Sequence, residues 1–215
     1  MNKVNLETDN ENIVFMNLKD GIVVIELLPE LAPKHVKRIK NLIHKKFYDG
    51  LTFHRVVKDF VVQTGDPTGT GSGGSGYIIK DEISGAHHVK GMVSMANKGP
   101  NTEDSQIFIT LTNALWLDDK HTIIGRVMSG MEHVYKINNG GTPSGKVPAG
   151  YGNPDKIISM KLASKINVAD YLTEVEDTGP KFKEYMGYSI HENINGDKEI
   201  IASEYIDTQV DDYLF

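Results

Sequence analysis

One cation set in an apolar alternation constrains this chain more than any other feature. In residues 53–66, FHRVVKDFVVQTGD, Arg55 stands among Phe53, Val56, Phe60 and Val62, and the amide of Gln63 ends a second apolar run. Arginine is among the side chains least often buried without a partner, so this placement demands one. Two kinds of partner fit the residues. A nearby acid, Asp59 or Asp66, would make a structural ion pair; alternatively, Arg55 and Gln63 stand as a cationic fork and an amide at the wall of an apolar pocket, set to bind one polar group. The stretch alone leaves both open.

Its surroundings read as short strands around one helix. Residues 13–18 and 22–27 are short runs rich in Ile and Val, separated by Lys19-Asp20-Gly21, which has the turn chemistry of a hairpin. Pro29 and Pro33 end the strand character and open a helix, Pro33 being acceptable in the first turn because no intrahelical donor is needed there. Val36, Ile39, Ile43 and Phe47 recur at helical spacing and predict one core-facing stripe, which Asp49-Gly50 stops. Residues 52–56 and 60–64 follow as two strands, with His54 facing away from Arg55 as a satisfied structural histidine.

Other motifs lead away from nucleotide, metal and hydrolytic chemistry. The cluster GTGSGGSG at 69–76 contains G-x-G-x-x-G twice, but Tyr77-Ile78-Ile79 continues as extended chain where a dinucleotide loop needs a helix, so a surface loop is expected. GGTPSGK at 140–146 fits a phosphate loop until Val147, which cannot hold Mg²⁺. His87 and His88 are adjacent, with no acidic or histidine partner at ligand spacing, and read as a solvated loop pair. Neither G-x-S-x-G nor H-E-x-x-H occurs, and without cysteine there is no disulfide or zinc-thiolate site. The polar, acidic start lacks the apolar run of a secretory signal, and nothing reaches the length of a membrane span. A cytoplasmic protein with no membrane partner is expected.

Charge divides the chain. From Ile166 onward there are twelve acids against three bases, a net of −9, so with the whole chain at −6 the first 165 residues carry +3. This boundary predicts an N-terminal tail at 1–12, a folded domain at 13–165 and an acidic extension at 166–215. No part holds a dense Lys/Arg run, which argues against a nucleic-acid partner. The extension is rich in Tyr and Phe, and Asn195-Gly196, lying between 188–194 and 199–201, predicts a small hairpin.

Two further blocks, SMANKGPNTEDSQIFIT at 94–110 and WLDDKHTIIGRV at 116–127, follow the first in order. Together the three resemble the cyclophilins, the peptidyl-prolyl cis/trans isomerase family, and are most similar to its compact bacterial members, over about residues 13–163. The resemblance implies a mainly β fold: a closed eight-stranded antiparallel β-barrel capped by two α-helices, with the groove on its outer face. The second helix would be 131–137 and the closing strand 157–162.

The resemblance also assigns residues. Arg55 would be the catalytic donor, Gln63 the amide orienting it and the substrate carbonyl, and Phe60, Phe108 and Leu117 the apolar proline pocket. Asn97 would hold the peptide upstream of proline by its backbone, Ala96 and Gln106 would line the adjoining groove, and His121 would stand at the pocket edge. Trp116, where many bacterial members carry Phe, implies sensitivity to cyclosporin. Each has an ordinary role open to it too: the apolar residues as core, Trp116 as a cover for the barrel end, Asn97 and Gln106 as partners of buried backbone. Two departures are Ile107 for a common Phe, a core swap, and Val61 where the family usually has Met. Val61 predicts a shallower pocket, weaker by about 1 kcal/mol.

The implied chemistry needs no metal, nucleophile or cofactor. Amide resonance opposes rotation by about 18–20 kcal/mol, and X–Pro bonds populate both isomers. On twisting, the prolyl nitrogen loses conjugation and becomes an acceptor, so a donor aimed there gains strength only in the transition state. Arg55 offers five donors and a charge that does not titrate away. The partners implied are proline-containing polypeptides and cyclosporin, with a protein partner of the acidic tail left open. Gly179-Pro180 could also present the tail to a groove. A binding module that grips a partner without turnover stands as the second reading.

Overall fold

The computed structural model describes residues 10–138 and 153–165, and the backbone of 188–192 and 198–202. Strands β1 (Ile13–Leu18) and β2 (Gly21–Leu27) form the first hairpin, paired from Ile13↔Glu26 to Leu18↔Gly21 around Lys19-Asp20. Helix α1 (Pro33–His44) follows, then β3 (Arg55–Val57), β4 (Val61–Thr64), β5 (Met92–Met95), β6 (Ile107–Thr110), β7 (Ile123–Ser129), α2 (Met131–Val134) and β8 (Ser159–Leu162). Phe47 lies beyond the end of α1 and still packs on the core, while α2 stops at Val134, short of the 131–137 expected. The chain also makes the hairpin expected near Asn195: β9 (Tyr188–Glu192) and β10 (Lys198–Ala202) pair antiparallel, with Ile200 opposite Ile190.

The first eight strands form one antiparallel sheet in the order β3-β4-β6-β5-β7-β2-β1-β8. A closed barrel would need a ladder between the edge strands β3 and β8, and none joins them. Instead the segments just before them meet. Thr52 bridges Lys156, Gly50 N–H donates to Ile157 O at 2.7 Å and Ile157 N–H to Leu51 O at 2.9 Å. The gap follows from length, since β3 has only three residues and ends in the turn of Asp59, which takes a φ of +56°.

Alternation decides what each strand buries. Val56, Val62, Ile107, Ile109, Val93 and Met95 join one cluster with Val14, Met16, Val23 and Ile25 from the first hairpin and with the Val36, Ile39, Leu42 and Ile43 face of α1. Ile107 is therefore core, as expected of that departure. The intervening residues of β3–β6 look outward, and they build the groove.

Candidate active site

Register sets the outward residues in one row across four strands. Arg55 of β3 lies opposite Gln63 of β4, Gln63 opposite Phe108 of β6, and Phe108 opposite Ser94 of β5. Cross-strand neighbours stand about 4.5–5.5 Å apart at Cβ, so sheet pairing alone brings together residues far apart in sequence.

A polar relay fixes the row at its cationic end. Arg55 Nη1 donates to Gln63 Oε1 at 3.3 Å, and Gln63 Nε2 donates to Gln106 Oε1 at 2.8 Å. Gln106, itself buried, donates its Nε2 to the carbonyls of Gly71 and Gly73 at 3.0 and 2.8 Å. Carbonyls only accept, so they set which way the Gln106 amide faces, which turns the Gln63 oxygen toward Arg55. Arg55 makes no salt bridge among the described residues. Asp59 is exposed, and Asp66 is engaged elsewhere. Burial lowers the Arg55 pKa from its ordinary value, and the guanidinium stays charged at neutral pH.

Asp66 is what holds the glycine loop. Its carboxylate accepts backbone N–H groups from Thr68, Thr70, Gly71 and Gly73 at 2.6–3.1 Å. Burial alone would raise its pKa, but the bonds from Thr68, Gly73 and Gly71 outweigh it and bring the carboxyl down to about 2. Gly65 lets this loop leave β4: its φ is +92°, and a Cβ there would collide with the Ser105 carbonyl. The cluster is thus a surface loop, as expected, but one wound on a buried carboxylate.

The apolar wall has two parts. Arg55 lies over the Phe60 ring, 5.8 Å from its centroid, and Phe60 packs on Trp116 at 5.6 Å. Trp116 is exposed, in a 3₁₀ turn (Leu115–Leu117) that also carries the half-buried Leu117. Phe108 meets the His121 ring edge-on at 5.3 Å. His121 Nδ1 donates to Met95 O at 2.9 Å, which leaves Nε2 unprotonated in the neutral ring. Ala96 N–H donates to Gln106 O at 2.9 Å, and Asn97 Nδ2 to Lys120 O at 2.7 Å. Val61 is buried on the groove side, two residues before Gln63, and does not join the core cluster.

Two histidines differ from expectation. His88 is not a solvated loop residue: it is buried, stacks on Phe108 at 6.1 Å, and its Nδ1 donates to Asp118 at 2.7 Å, with Nε2 3.0 Å from Ser94 Oγ. Burial, against the pull of Asp118, holds its pKa below the ordinary value, so the neutral ring backs Phe108. His87 is exposed and shares Asp118. The signal was Asp118, an acid thirty residues away that no local spacing rule reaches. His54 is buried as expected but not satisfied, since neither ring nitrogen has a well-formed hydrogen bond; burial lowers its pKa despite Asp66 and Gln106 nearby. The loop of residues 140–146 and Gly179-Pro180 lie outside the described residues.

The family model for cyclophilin type peptidyl-prolyl cis-trans isomerases matches residues 13–162, and the chain belongs to that family of isomerases. A peptidyl-prolyl cis-trans isomerase of Schizosaccharomyces pombe is 54% identical over 116 residues, covering 52% of this chain and 75% of that protein. A probable one of Brucella suis is 42% identical over 168 residues, 72% of this chain and 84% of its own length. Among solved structures, a cyclophilin type isomerase of Cryptosporidium parvum superposes with a TM-score of 0.63 at 31% identity, over 69% of this chain and 95% of that one. The same protein has also been solved in the presence of the dipeptide Ala-Pro.

Proposed function

We propose that this isomerase works through Arg55, donating to the prolyl nitrogen as the X–Pro amide twists, with the proline ring against Phe60, Phe108 and Leu117. The observation that carries this reading is the row Arg55–Gln63–Phe108, in which one charged donor borders an apolar wall and is aimed by a relay anchored in backbone carbonyls. Such a donor needs no reorganisation when the nitrogen becomes an acceptor, which is where preorganised charge gains most. Gln63 orients Arg55, His121 closes the pocket edge, and Ala96, Asn97, Gln106, Val61 and Trp116 receive the flanking peptide.

The substrates are proline-containing polypeptides, flexible or partly folded, so that the enzyme assists folding; the location is the cytoplasm. Exposed Trp116 beside Phe60 favours cyclosporin as an inhibitor, and the acidic extension is a surface for a protein partner.

A proline-limited refolding assay tests this. Wild type should accelerate the slow phase, cyclosporin should abolish the acceleration, and Arg55→Ala should lower kcat/KM by about a hundredfold or more, the usual scale for removing one preorganised donor. No acceleration by well-folded wild type would leave a binding module. Full activity in Arg55→Ala would remove the arginine from the mechanism.

A further inference from the structure

A buried ionic cluster lies behind the groove. His35, on the core-facing side of α1, is fully buried, and both ring nitrogens approach carboxylates: Nδ1 hydrogen-bonds Glu82 Oε2 at 2.8 Å, and Nε2 lies 3.0 Å from Glu103 Oε2, an ion-pair approach without well-formed hydrogen-bond geometry. An ionised carboxylate only accepts, so approaches this close on both sides of the ring are favourable only when the ring carries two protons. A neutral ring would turn a lone pair onto one carboxylate in a buried site, where unpaired charge is costly.

Each acid also reaches beyond the histidine. Glu82 Oε2 accepts the backbone N–H of Lys34 and of His35, both at 3.0 Å, capping an α1 N-terminus that has no side-chain cap of its own. Glu103 Oε1 accepts the backbone N–H of Thr122 at 3.0 Å and a longer contact from Asn97 Nδ2 at 3.4 Å. Thr122 Oγ1 in turn accepts the Glu82 N–H at 2.9 Å, and Thr122 O receives Met95 N–H at 2.9 Å and Ser94 Oγ at 2.7 Å. Thr122 is the neighbour of His121. The cluster therefore ends on the backbone of Thr122, beside one groove residue, and on the side chain of another, Asn97.

We infer that Glu103 is a positioning residue for the groove, fixing Thr122 and hence His121 together with Asn97, and that the second proton on His35 keeps Glu103 in place. The inference rests on the isomerase reading above. It adds a side of the site that the Arg55 relay does not touch.

The charged groups facing His35 are Glu82, from the loop after Ile79, and Glu103, from the loop before β6. Arg38, one turn along α1, is directed at Ser75 Oγ and the Tyr77 ring, and Asp81 accepts the Asn101 N–H. Burial opposes the charge on His35, but the adjacent Glu103 and Glu82 carboxylates outweigh it and raise its pKa from the ordinary value. Burial likewise opposes the charge on Glu103, but the close His35 ring and the bond from Thr122 outweigh it and lower its pKa from the ordinary value. A raised histidine contributes fully below its unfolded value and is lost as pH rises through its folded one; a depressed carboxylate contributes above its unfolded value and is lost as pH falls through its folded one. The cluster is held most strongly between the lowered value of Glu103 and the raised value of His35, and it opens as pH rises through the latter.

The test combines a histidine ¹⁵N NMR titration of the full chain with isomerase kinetics on a proline peptide over the same pH range. Both ring nitrogens of His35 should carry protons at pH 7. As one is lost, KM should rise about fivefold with kcat within about twofold, because binding contacts are disturbed and the Arg55 donor is not. Glu103→Gln should show the raised KM already at pH 7 and no pH step. A neutral His35 at pH 7, a KM that ignores its titration, or a step that survives in Glu103→Gln would overturn the inference. Should the variant fail to fold, the wild-type titration and its KM profile decide alone. Absence of turnover at every pH would instead overturn the isomerase reading.

Discussion

On strands β3, β4, β6 and β5, Val56, Val62, Ile107, Ile109, Val93 and Met95 face the core, while Arg55, Gln63, Phe108 and Ser94 face the groove. The backbone is common to both faces, yet the two are held by different physics. Inside, position is set by area removed from water and by packing, which no single contact dominates. Outside, position is set by directed bonds running from Asp66 through the glycine loop to Gln106, Gln63 and Arg55. A change inside should therefore cost stability and spare turnover, and a change outside should do the reverse.

Ile109→Ala should break the inner face most severely. Ile109 is 2% exposed and sits in the main cluster, so truncation should lower unfolding free energy by about 2–5 kcal/mol. Urea denaturation measures this, and kcat/KM of the folded fraction should stay within about twofold of wild type. If turnover collapsed while stability held, the faces would not be separable.

Gln106→Leu acts on the other side. It removes the acceptor for Gln63 and leaves the Gly71 and Gly73 carbonyls without that donor, so Gln63 can flip and Arg55 loses its fixed aim. A loss of about tenfold in kcat/KM, or about 1.4 kcal/mol, falling mainly on kcat, is expected. A variant that turned over normally would mean that Arg55 is held by Phe60 alone.

The inner face was legible because burial imposes a period. Val36, Ile39 and Ile43 announced α1, the Ile/Val runs announced β1 and β2, and Asn195-Gly196 announced the β9–β10 hairpin. The groove was legible for a different reason: its residues sit in three blocks that resemble a family, and register then set Arg55, Gln63 and Phe108 side by side. What escaped were polar groups whose partners are distant in sequence. His88 depends on Asp118 and Ser94, and His35 on Glu82 and Glu103, and no local pattern marks such pairs. His35 was hidden further, because only apolar positions were read from the buried stripe of α1. The edge pairing around Thr52 and Lys156 escaped likewise, since a three-residue strand leaves too short a run to fix its partner.

The smallest effect probes where the two faces meet. Val61 is 1% exposed, yet it belongs to the groove side of β4 and lies opposite Thr110, whose hydroxyl donates to Val89 O at 2.6 Å. Two forces bear on Val61→Met. The longer thioether extends the apolar wall toward a bound proline ring, worth about 1 kcal/mol on the scale of a buried methylene. Burial at this position also means that added length can strain the packing, at about 1–3 kcal/mol if no space opens. Because Val61 lies outside the core cluster, the added length presses on the groove wall rather than on the core. The expected outcome is a KM lowered up to about fivefold, with unfolding free energy within about 1 kcal/mol of wild type. An unchanged KM with a larger loss of stability would show that Val61 packs as core, and that the boundary between the faces runs on the other side of β4.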